Sequence, residues 1–302
     1  GLDIAGIDLV MEDISRPLEE QGGAIIEVNA SPGLLAHLKP AVGKPREIGS
    51  AIVGNLFGPD ESGRIPIIGV TGTRDTSLIA RMVGCMLRLT GVHTGVVNAN
   101  GLYLDERKVS SANSMTFDAG ERLLINRTVQ AAVFESDARM ILTEGLAYDR
   151  CAVGIVTDMD GVESLREFYI EDMDAMANII RAQVDVILPD GAAVLNAAVD
   201  EVAELARLCD GDVIFYAEDH ALPAIAEHRS GGHRAVFPRD GAIVLAEGGD
   251  ETVLLAMSAL KPATAAFPGA VLAAVAATWA LGMEPGLIAA GLRNFDAGPA
   301  GH

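Results

Sequence analysis

From residue 65 onward, short apolar runs alternate with segments whose apolar residues recur at helical spacing. The runs predict buried strands at 65–70, 93–97, 132–135, 151–157, 184–188, 192–195 and 212–216, followed by a β-rich patch at 235–256. The periodic segments predict helices at 76–89, 122–132, 172–183, 199–209, 264–281 and 284–294. Because strands that alternate with helices usually pair in parallel, we expect an α/β fold with a mainly parallel sheet covered on both faces.

The first 64 residues have a different pattern. Strand-like runs at 4–11 and 24–28 flank a polar, turn-rich segment, and the second run ends in a turn sequence at 29–33. Proline and glycine are frequent in 40–65, around a short helix-like stretch at 48–56, as in a connector. We predict a domain end at 1–44, a connector at 45–64, a second domain at 65–296 and a tail at 297–302.

Charge and composition exclude several function classes. The 302 residues include 42 Asp and Glu against 22 Lys and Arg, which gives a formal net charge of −20. Nucleic acids and anionic membranes both require clustered cations, so neither is expected as a partner. The most apolar stretch, 263–283, contains Pro268 and is interpreted as a buried helix rather than a membrane span.

The cysteines and the start of the chain indicate its setting. Three widely spaced cysteines without a CxxC pair favour a reduced, cytoplasmic environment. The chain begins at Gly1, runs directly into a strand-like segment and shows no signal peptide. The simplest interpretation is that it is the C-terminal part of a longer polypeptide.

The first candidate site lies in the strand-like run at 24–28 and the residue after it. Glu27 and Asn29 are two apart, so a strand would place their side chains on one face. Carboxylate and carboxamide oxygens are ligands that magnesium accepts, and Asp8 on the preceding run could add another. The alternative is that these side chains are only the exposed face of an edge strand.

The stretches 6–10 (GIDLV) and 23–33 (GAIIEVNASPG) resemble the end of an ATP-grasp domain, most closely that of the cyanophycin synthetase family. The resemblance implies that Glu27 and Asn29 hold magnesium on ATP and that Asp8 belongs to the same acidic floor. It also implies that the ATP-binding lysines and phosphate loop lie upstream, so Mg-ATP is a cofactor of the complete enzyme rather than of this stretch alone.

The second candidate site follows the predicted strand at 65–70. A glycine-containing turn between a strand and a helix N-terminus can cradle phosphate with backbone N–H groups. The segment 71–77 (TGTRDTS) resembles the G-T-N-G-K-T loop of Mur-type ligases, and Gly72, Thr73 and the hydroxyl of Ser77 match it. Arg74, Asp75 and Thr76 replace the Asn, Gly and Lys. Because the phosphate-binding lysine is absent and a carboxylate is added, we expect a vestigial loop without nucleotide.

Other parts of the Mur-type pattern are incomplete. Glu135 matches the family's magnesium-binding glutamate, whereas the stretch at 158–163 (DMDGVE) lacks the expected histidine. Its three acidic residues are most simply a solvated loop. The turn Pro189-Asp190-Gly191 is retained, but the helix before it holds no lysine. The resemblance therefore implies the shorter type of cyanophycin synthetase, in which the Mur-ligase-like domain is inactive and a third domain is missing.

These resemblances predict the C-terminal portion of an ATP-dependent acid–amine ligase that acts through an acyl phosphate at its ATP-grasp site. The Mur-ligase-like domain is then structural, and the expected substrates are small molecules or peptides of the aspartyl or arginyl type. We also expect a homo-oligomer. Two alternatives stay open: a scaffold or binding module without enzymatic activity, and a Mur-type ligase that is still active.

Overall fold

The computed structural model describes residues 4–58 and 61–298. The chain divides into two compact units, Gly1–Arg64 and Ile65–His302. Within the described residues, no helix is both long enough and apolar enough to span a membrane.

The smaller unit is built on an antiparallel ribbon of two strands, β1 (Gly6–Val10) and β2 (Ala24–Asn29). The connecting loop contains a 3₁₀ turn, Leu18–Gln21. The side chain of Gln21 closes the loop by bonding to the backbone of Glu12, Asp13 and Arg16. Two helices follow, α1 (Leu35–Leu38) and α2 (Ile48–Leu56). None of the described residues of this unit is fully buried.

The larger unit is organised around one sheet, which has eleven strands among the described residues. Its strands are β3 (Ile67–Thr71), β4 (Thr94–Asn98), β5 (Gly101–Leu104), β6 (Arg107–Ser110), β7 (Ala131–Ser136), β8 (Cys151–Val156), β9 (Ile187–Asn196), β10 (Asp212–Tyr216), β11 (Arg234–Arg239), β12 (Ala242–Glu247) and β13 (Asp250–Ala256). The strand order is β13-β12-β11-β10-β9-β8-β3-β7-β4-β5-β6. The seven strands from β11 to β4 are parallel, and an antiparallel pair extends the sheet at each edge.

Helices cover both faces of this sheet, as the alternation of elements predicts. They are α3 (Thr76–Arg88), α4 (Phe117–Leu124), α5 (Ala138–Thr143), α6 (Met173–Ile180), α7 (Ala182–Asp185), α8 (Asp200–Ala203), α9 (Pro223–Ser230), α10 (Pro262–Ala265), α11 (Pro268–Ala280) and α12 (Pro285–Asn294), with 3₁₀ turns at Val162–Phe168, Glu204–Leu208 and Met257–Ala259. Helices α3, α11 and α12 pack on one face, in the cluster that contains Ile68 and Val70. Helices α4, α6 and α7 pack on the other face, in the cluster that contains Ile67 and Phe134. The α/β class and the mainly parallel sheet are confirmed.

Several predicted elements were wrong in detail. The helix at 122–132 is instead α4, which starts at Phe117 and has the Thr116 side chain as its N-cap. The predicted helix at 264–281 is two helices, because Pro268 lacks the N–H that a continuous helix needs and begins α11 instead.

The predicted strands at 184–188 and 192–195 are also different. Residues 182–185 form α7, and a single strand, β9, runs through the predicted turn at 189–191. In place of a turn, the residues at 189–191 coincide with a register shift in the pairing of β8 with β9. Cys151 pairs with Ile187 and Val153 pairs with Ala192, so residues 188–191 lie opposite the single residue Ala152.

Candidate functional site

The loop from Gly72 to Asp75 joins β3 to α3 near the middle of the sheet. Strand β3 lies between β7 and β8, and all three run parallel. Their carboxyl ends therefore meet at one edge of the sheet, which is where open α/β sheets place ligand sites. This edge brings the loop beside Glu135 at the end of β7 and beside Thr157 and Asp158 just after β8.

The carboxylate of Asp158 occupies the hydrogen-bonding face of the loop. It accepts the backbone N–H groups of Thr73, at 3.0 Å to Oδ2, and Arg74, at 2.9 Å. It also accepts the hydroxyl of Thr73, the hydroxyl of Thr157, both at 2.7 Å, and the backbone N–H of Asp160. Asp158 is fully buried, so the prediction that all three acids of 158–163 form a solvated loop is wrong for this residue.

Asp158 holds its charge in spite of its burial. Burial alone would raise the pKa of its carboxyl, but the hydrogen bonds from Thr157 and Thr73 outweigh burial and keep the pKa below the ordinary value. An ionised carboxylate of the chain therefore fills the anion-binding face of the loop.

The backbone of the loop retains the shape of a phosphate loop at two positions. Gly72 has φ +134°, and a Cβ there would lie 2.0 Å from the Thr157 hydroxyl oxygen, so this position requires glycine. Asp75, which replaces a glycine of the family pattern, has φ 56° and ψ 20°, the left-handed conformation that glycine adopts most easily. Partial burial raises the pKa of the Asp75 carboxyl.

The first residues of α3 bind Glu135. The hydroxyl of Thr76 donates to one carboxylate oxygen at 2.6 Å and the hydroxyl of Ser77 donates to the other at 2.5 Å. The backbone N–H of Ala99 adds a third bond at 2.7 Å. Glu135 is buried. At position 76 the family pattern has a lysine, whereas this chain has a threonine whose hydroxyl donates to the Glu135 carboxylate.

Arg74 points away from the anion-binding face. Its guanidinium forms an ion pair with Asp160 at 2.7 Å, and both side chains are more than half exposed. The pair raises the pKa of Arg74 above its already high value. Arg74 therefore does not supply the charge of the missing lysine.

The predicted magnesium ligands of the smaller unit lie together on the ribbon. Asp8 pairs with Glu27 and Gly6 pairs with Asn29 across β1 and β2. Directly opposite residues of an antiparallel pair share a face, as do residues two apart in one strand, so all three polar side chains lie on one face. Within the described part of the chain, no cluster of three or more His, Cys, Asp or Glu side chains is arranged to hold a metal. Asp8, Glu27 and Asn29 contribute two carboxylates and one carboxamide.

Sequence reasoning missed Asp158 and Thr76 as partners within the site. The signal for Asp158 was its position directly after a buried strand, where a polar residue lies at the ligand-binding edge. The matched residues Gly72, Thr73, Ser77 and Glu135 do come together at this edge.

Known proteins resemble the chain along nearly its whole length. No family model matches it. A cyanophycin synthetase of Geminocystis herdmanii is 33% identical over 306 residues, which cover 99% of this chain and 34% of that protein. A cyanophycin synthetase of Synechocystis sp. is 34% identical, with 98% of this chain and 34% of that protein covered.

Among solved structures, a UDP-N-acetylmuramoyl-L-alanyl-D-glutamate–2,6-diaminopimelate ligase matches with a TM-score of 0.58 at 12% identity, covering 82% of this chain and 49% of that one. This likeness shows the fold. The chain spans about a third of the length of the relatives that it matches. Nearly all of this chain is thus similar to a segment that makes up about one third of the length of each cyanophycin synthetase, and its fold is similar to that of the solved ligase structure.

Proposed function

We propose that this chain is the closing part of an ATP-grasp domain followed by a non-catalytic Mur-ligase-like domain, both belonging to a cyanophycin synthetase-like ligase. The complete enzyme would join a carboxylate to an amine on peptides of the aspartyl or arginyl type, with Mg-ATP as cofactor. One observation carries the proposal: the carboxylate of Asp158 already binds the N–H groups of Thr73 and Arg74 that a nucleotide phosphate would need.

The residues of the larger unit do not fit a triphosphate. A phosphate would approach two carboxylates, those of Asp158 and Asp75, and would find no lysine on the loop. Like charges at short range in a partly buried site oppose binding strongly. The larger unit is therefore assigned a structural role, such as subunit packing or holding a growing polymer.

The residues of the smaller unit do fit a magnesium ion. Asp8 and Glu27 face each other across the ribbon, and two carboxylates placed opposite each other repel unless a cation lies between them. Together with Asn29 they offer the hard oxygen ligands that magnesium prefers. When bound, the ion would neutralise charge on the phosphates of ATP, and these three residues would hold it.

Glu27→Gln tests the assignment of ligation to the ATP-grasp site. In the full-length protein, this change should abolish ATP-dependent turnover of β-aspartyl-arginine, or of aspartate plus arginine with a primer. Ser77→Ala is the matched control and should leave turnover within about twofold of the parent, since Ser77 belongs to the inactive loop. Phosphate release and polymer formation are measured together. Turnover that survives Glu27→Gln, or is lost with Ser77→Ala, would contradict the proposal.

Continued Mur-type ligation is the second candidate. The hydroxyl of Ser77 still donates to the carboxylate of Glu135 at 2.5 Å, which keeps together the two residues that match the magnesium ligands of the family pattern. Near them, Nδ2 of Asn98 and the hydroxyl of Ser136 are buried without a hydrogen-bond partner among the described residues. Calorimetry of the chain with ATP and magnesium separates the candidates, because micromolar binding that Ser77→Ala removes would establish a working loop.

A further inference from the structure

A column of three stacked aromatic rings joins helix α9 to the sheet of the larger unit. Its members are Phe215 of β10, His228 of α9 and His233 in the turn before β11. The ring centres of Phe215 and His228 are 4.2 Å apart, with planes inclined at 28°, and those of His228 and His233 are 4.7 Å apart, with planes inclined at 22°. His228 is therefore the middle ring of a column that has no role in the proposed function.

A hydrogen bond fixes the position of the proton on His228. Its Nε2 lies 3.0 Å from the backbone oxygen of Val213. A carbonyl oxygen only accepts hydrogen bonds, so Nε2 carries the ring proton, and a second proton has to be added at Nδ1. The ring is half-buried between its two neighbours, where a charge on it loses solvation.

The elements packed around His228 also place charged groups near it. These groups are Glu227 and Arg229 of α9, Asp212 of β10, Arg234 of β11, and Asp200 and Glu204 of α8 and the 3₁₀ turn that follows it. The carboxylates of α8, the 3₁₀ turn and α9 line a cleft of about 480 Å³ beside the ring and are exposed, so solvent screens them. The Asp212 carboxylate is paired with Arg234 at 2.6 Å. Burial outweighs these carboxylates and the bond to Val213, so the pKa of His228 is below its ordinary value.

Helix α9 is held on the sheet with little apolar burial, since one of its eight residues is buried. Arg229 adds a hydrogen bond of 3.0 Å to the backbone oxygen of Gly248 and an ion pair of 2.7 Å with Glu251. Burial alone would raise the pKa of Glu251, but the bonds from two arginines keep it below the ordinary value, so this ion pair persists in mildly acidic solution. His228 is therefore the contact of α9 whose charge changes near neutral pH.

We propose that the ring column is a pH-sensitive switch, in which protonation of His228 shifts α9 toward an open arrangement while the sheet stays folded. In the closed arrangement Nδ1 keeps its lone pair. When α9 opens, the ring enters water and Nδ1 takes up a proton from solvent. Closing releases that proton, because a charged ring in the column loses its solvation and is repelled by any charge on His233. The switch involves neither Glu27 nor the phosphate loop, so it does not depend on where ligation takes place.

The direction of the pH effect follows from proton linkage. Above about pH 6.5, the ordinary pKa of histidine, His228 is neutral in both arrangements and the closed arrangement keeps its full stability. Below that value the open arrangement binds more protons, so opening becomes more frequent as the pH falls toward the lowered pKa of the closed arrangement. One unit below the ordinary pKa, the open ring is charged about ten times as often as it is neutral, which limits the increase in opening to about tenfold.

Hydrogen exchange of the full 302-residue chain, read by mass spectrometry, tests the switch. Rates are corrected for the intrinsic pH dependence of amide exchange and compared between about pH 7.5 and about pH 5.5, on either side of the ordinary histidine pKa. Amides of α9 should open several-fold to about tenfold more often at the lower pH, whereas amides of β8 should not change. His228→Phe keeps a ring in the column but cannot be protonated, so it should remove the increase. His37→Gln, at an exposed histidine of the smaller unit, is the control and should leave the increase intact.

A second measurement follows the proton itself. In an NMR titration of the imidazole C2 protons, the His228 resonance should have its midpoint below about 6.5. Opening of α9 that does not change with pH, an increase that persists in His228→Phe, an increase that is lost equally in His37→Gln, or a midpoint at or above the ordinary value would each overturn the proposal. Circular dichroism checks that every variant is folded. If His228→Phe does not fold, His228→Gln provides the same comparison, because its amide can donate to the Val213 oxygen and does not titrate.

Discussion

At the scale of single residues, the position of one carboxylate decides what the phosphate loop can bind. The loop retains the required glycine at Gly72 and the hydroxyl at Ser77, so part of its sequence still matches the ligase pattern. Asp158 changes what the loop can bind, because the N–H groups of Thr73 and Arg74 already donate to the Asp158 carboxylate. The same bonds tie the end of β8 to the loop after β3, and they give Asp158 a structural role that can be measured.

Asp158→Asn should lower the free energy of unfolding by about 1.5–3 kcal/mol at pH 7, the usual worth of hydrogen bonds to a charged group. The carboxylate pKa in the folded protein is below its ordinary value of 3.8. Its stabilisation is therefore full above that value and is lost as the pH falls through the folded-state pKa. Urea unfolding from pH 7 to about pH 3 should show the gap between parent and variant closing on the acid side. Asp160→Asn, at an exposed residue, is the control, and a gap that stays constant with pH would contradict the role given to Asp158.

At the scale of elements, strand β3 is constrained by the polar network beneath it. A Cβ on Gly69 would lie 2.1 Å from the Tyr148 hydroxyl and 2.3 Å from Oε1 of Gln183. These two side chains are buried and bonded to each other at 2.7 Å, and Gln183 Oε1 also accepts the hydroxyl of Thr71 at 3.2 Å. The network joins α7 to the strand that carries the phosphate loop, so it supports the geometry of the site.

Gly69→Ala should destabilise the larger unit by about 2–4 kcal/mol, because the added methyl group overpacks the core and displaces a buried hydrogen bond. Gly286→Ala is the matched control. A Cβ there has no neighbour within 4 Å, and alanine in α12 should be neutral or stabilising by up to about 1 kcal/mol. Equal effects of the two changes in urea unfolding would show that the network can rearrange without cost.

The elements that the sequence predicts well are those whose signals are local. Strand β3, its loop and helix α3 follow directly from a buried apolar run, a glycine turn and helical periodicity. The hairpin β5–β6 was missed because its strands are only four residues long and partly exposed, which leaves little periodicity to detect. The single strand β9 was missed because its proline and glycine indicate a turn, whereas the neighbouring strand accommodates them as a register shift.

At the scale of the whole molecule, the order of strands in the sheet determines the candidate site, and local sequence does not encode that order. Glu135 and Ser77 could be matched through family spacing. The role of Asp158 depends on β8 lying beside β3, although the two strands are about eighty residues apart in the chain. The chain also combines two units of very different character. The larger unit has a continuous buried core on both faces of its sheet, whereas none of the described residues of the smaller unit is fully buried.

Hydrogen exchange should reveal this difference directly in the 302-residue chain. Apolar side chains such as Ile7, Ile26 and Val28 of the ribbon are more than half exposed, and an isolated two-stranded ribbon is marginally stable in water. We expect amides of β1 and β2 to exchange with opening free energies below about 2 kcal/mol, as in locally unfolding segments. Amides of β3, β7 and β8 should exchange only through global unfolding, at about 5–15 kcal/mol. The described residues of the ribbon bury too little apolar surface to stabilise it on their own. Equal protection of amides in both units would therefore contradict this expectation and would mean that contacts beyond β1 and β2 stabilise the ribbon.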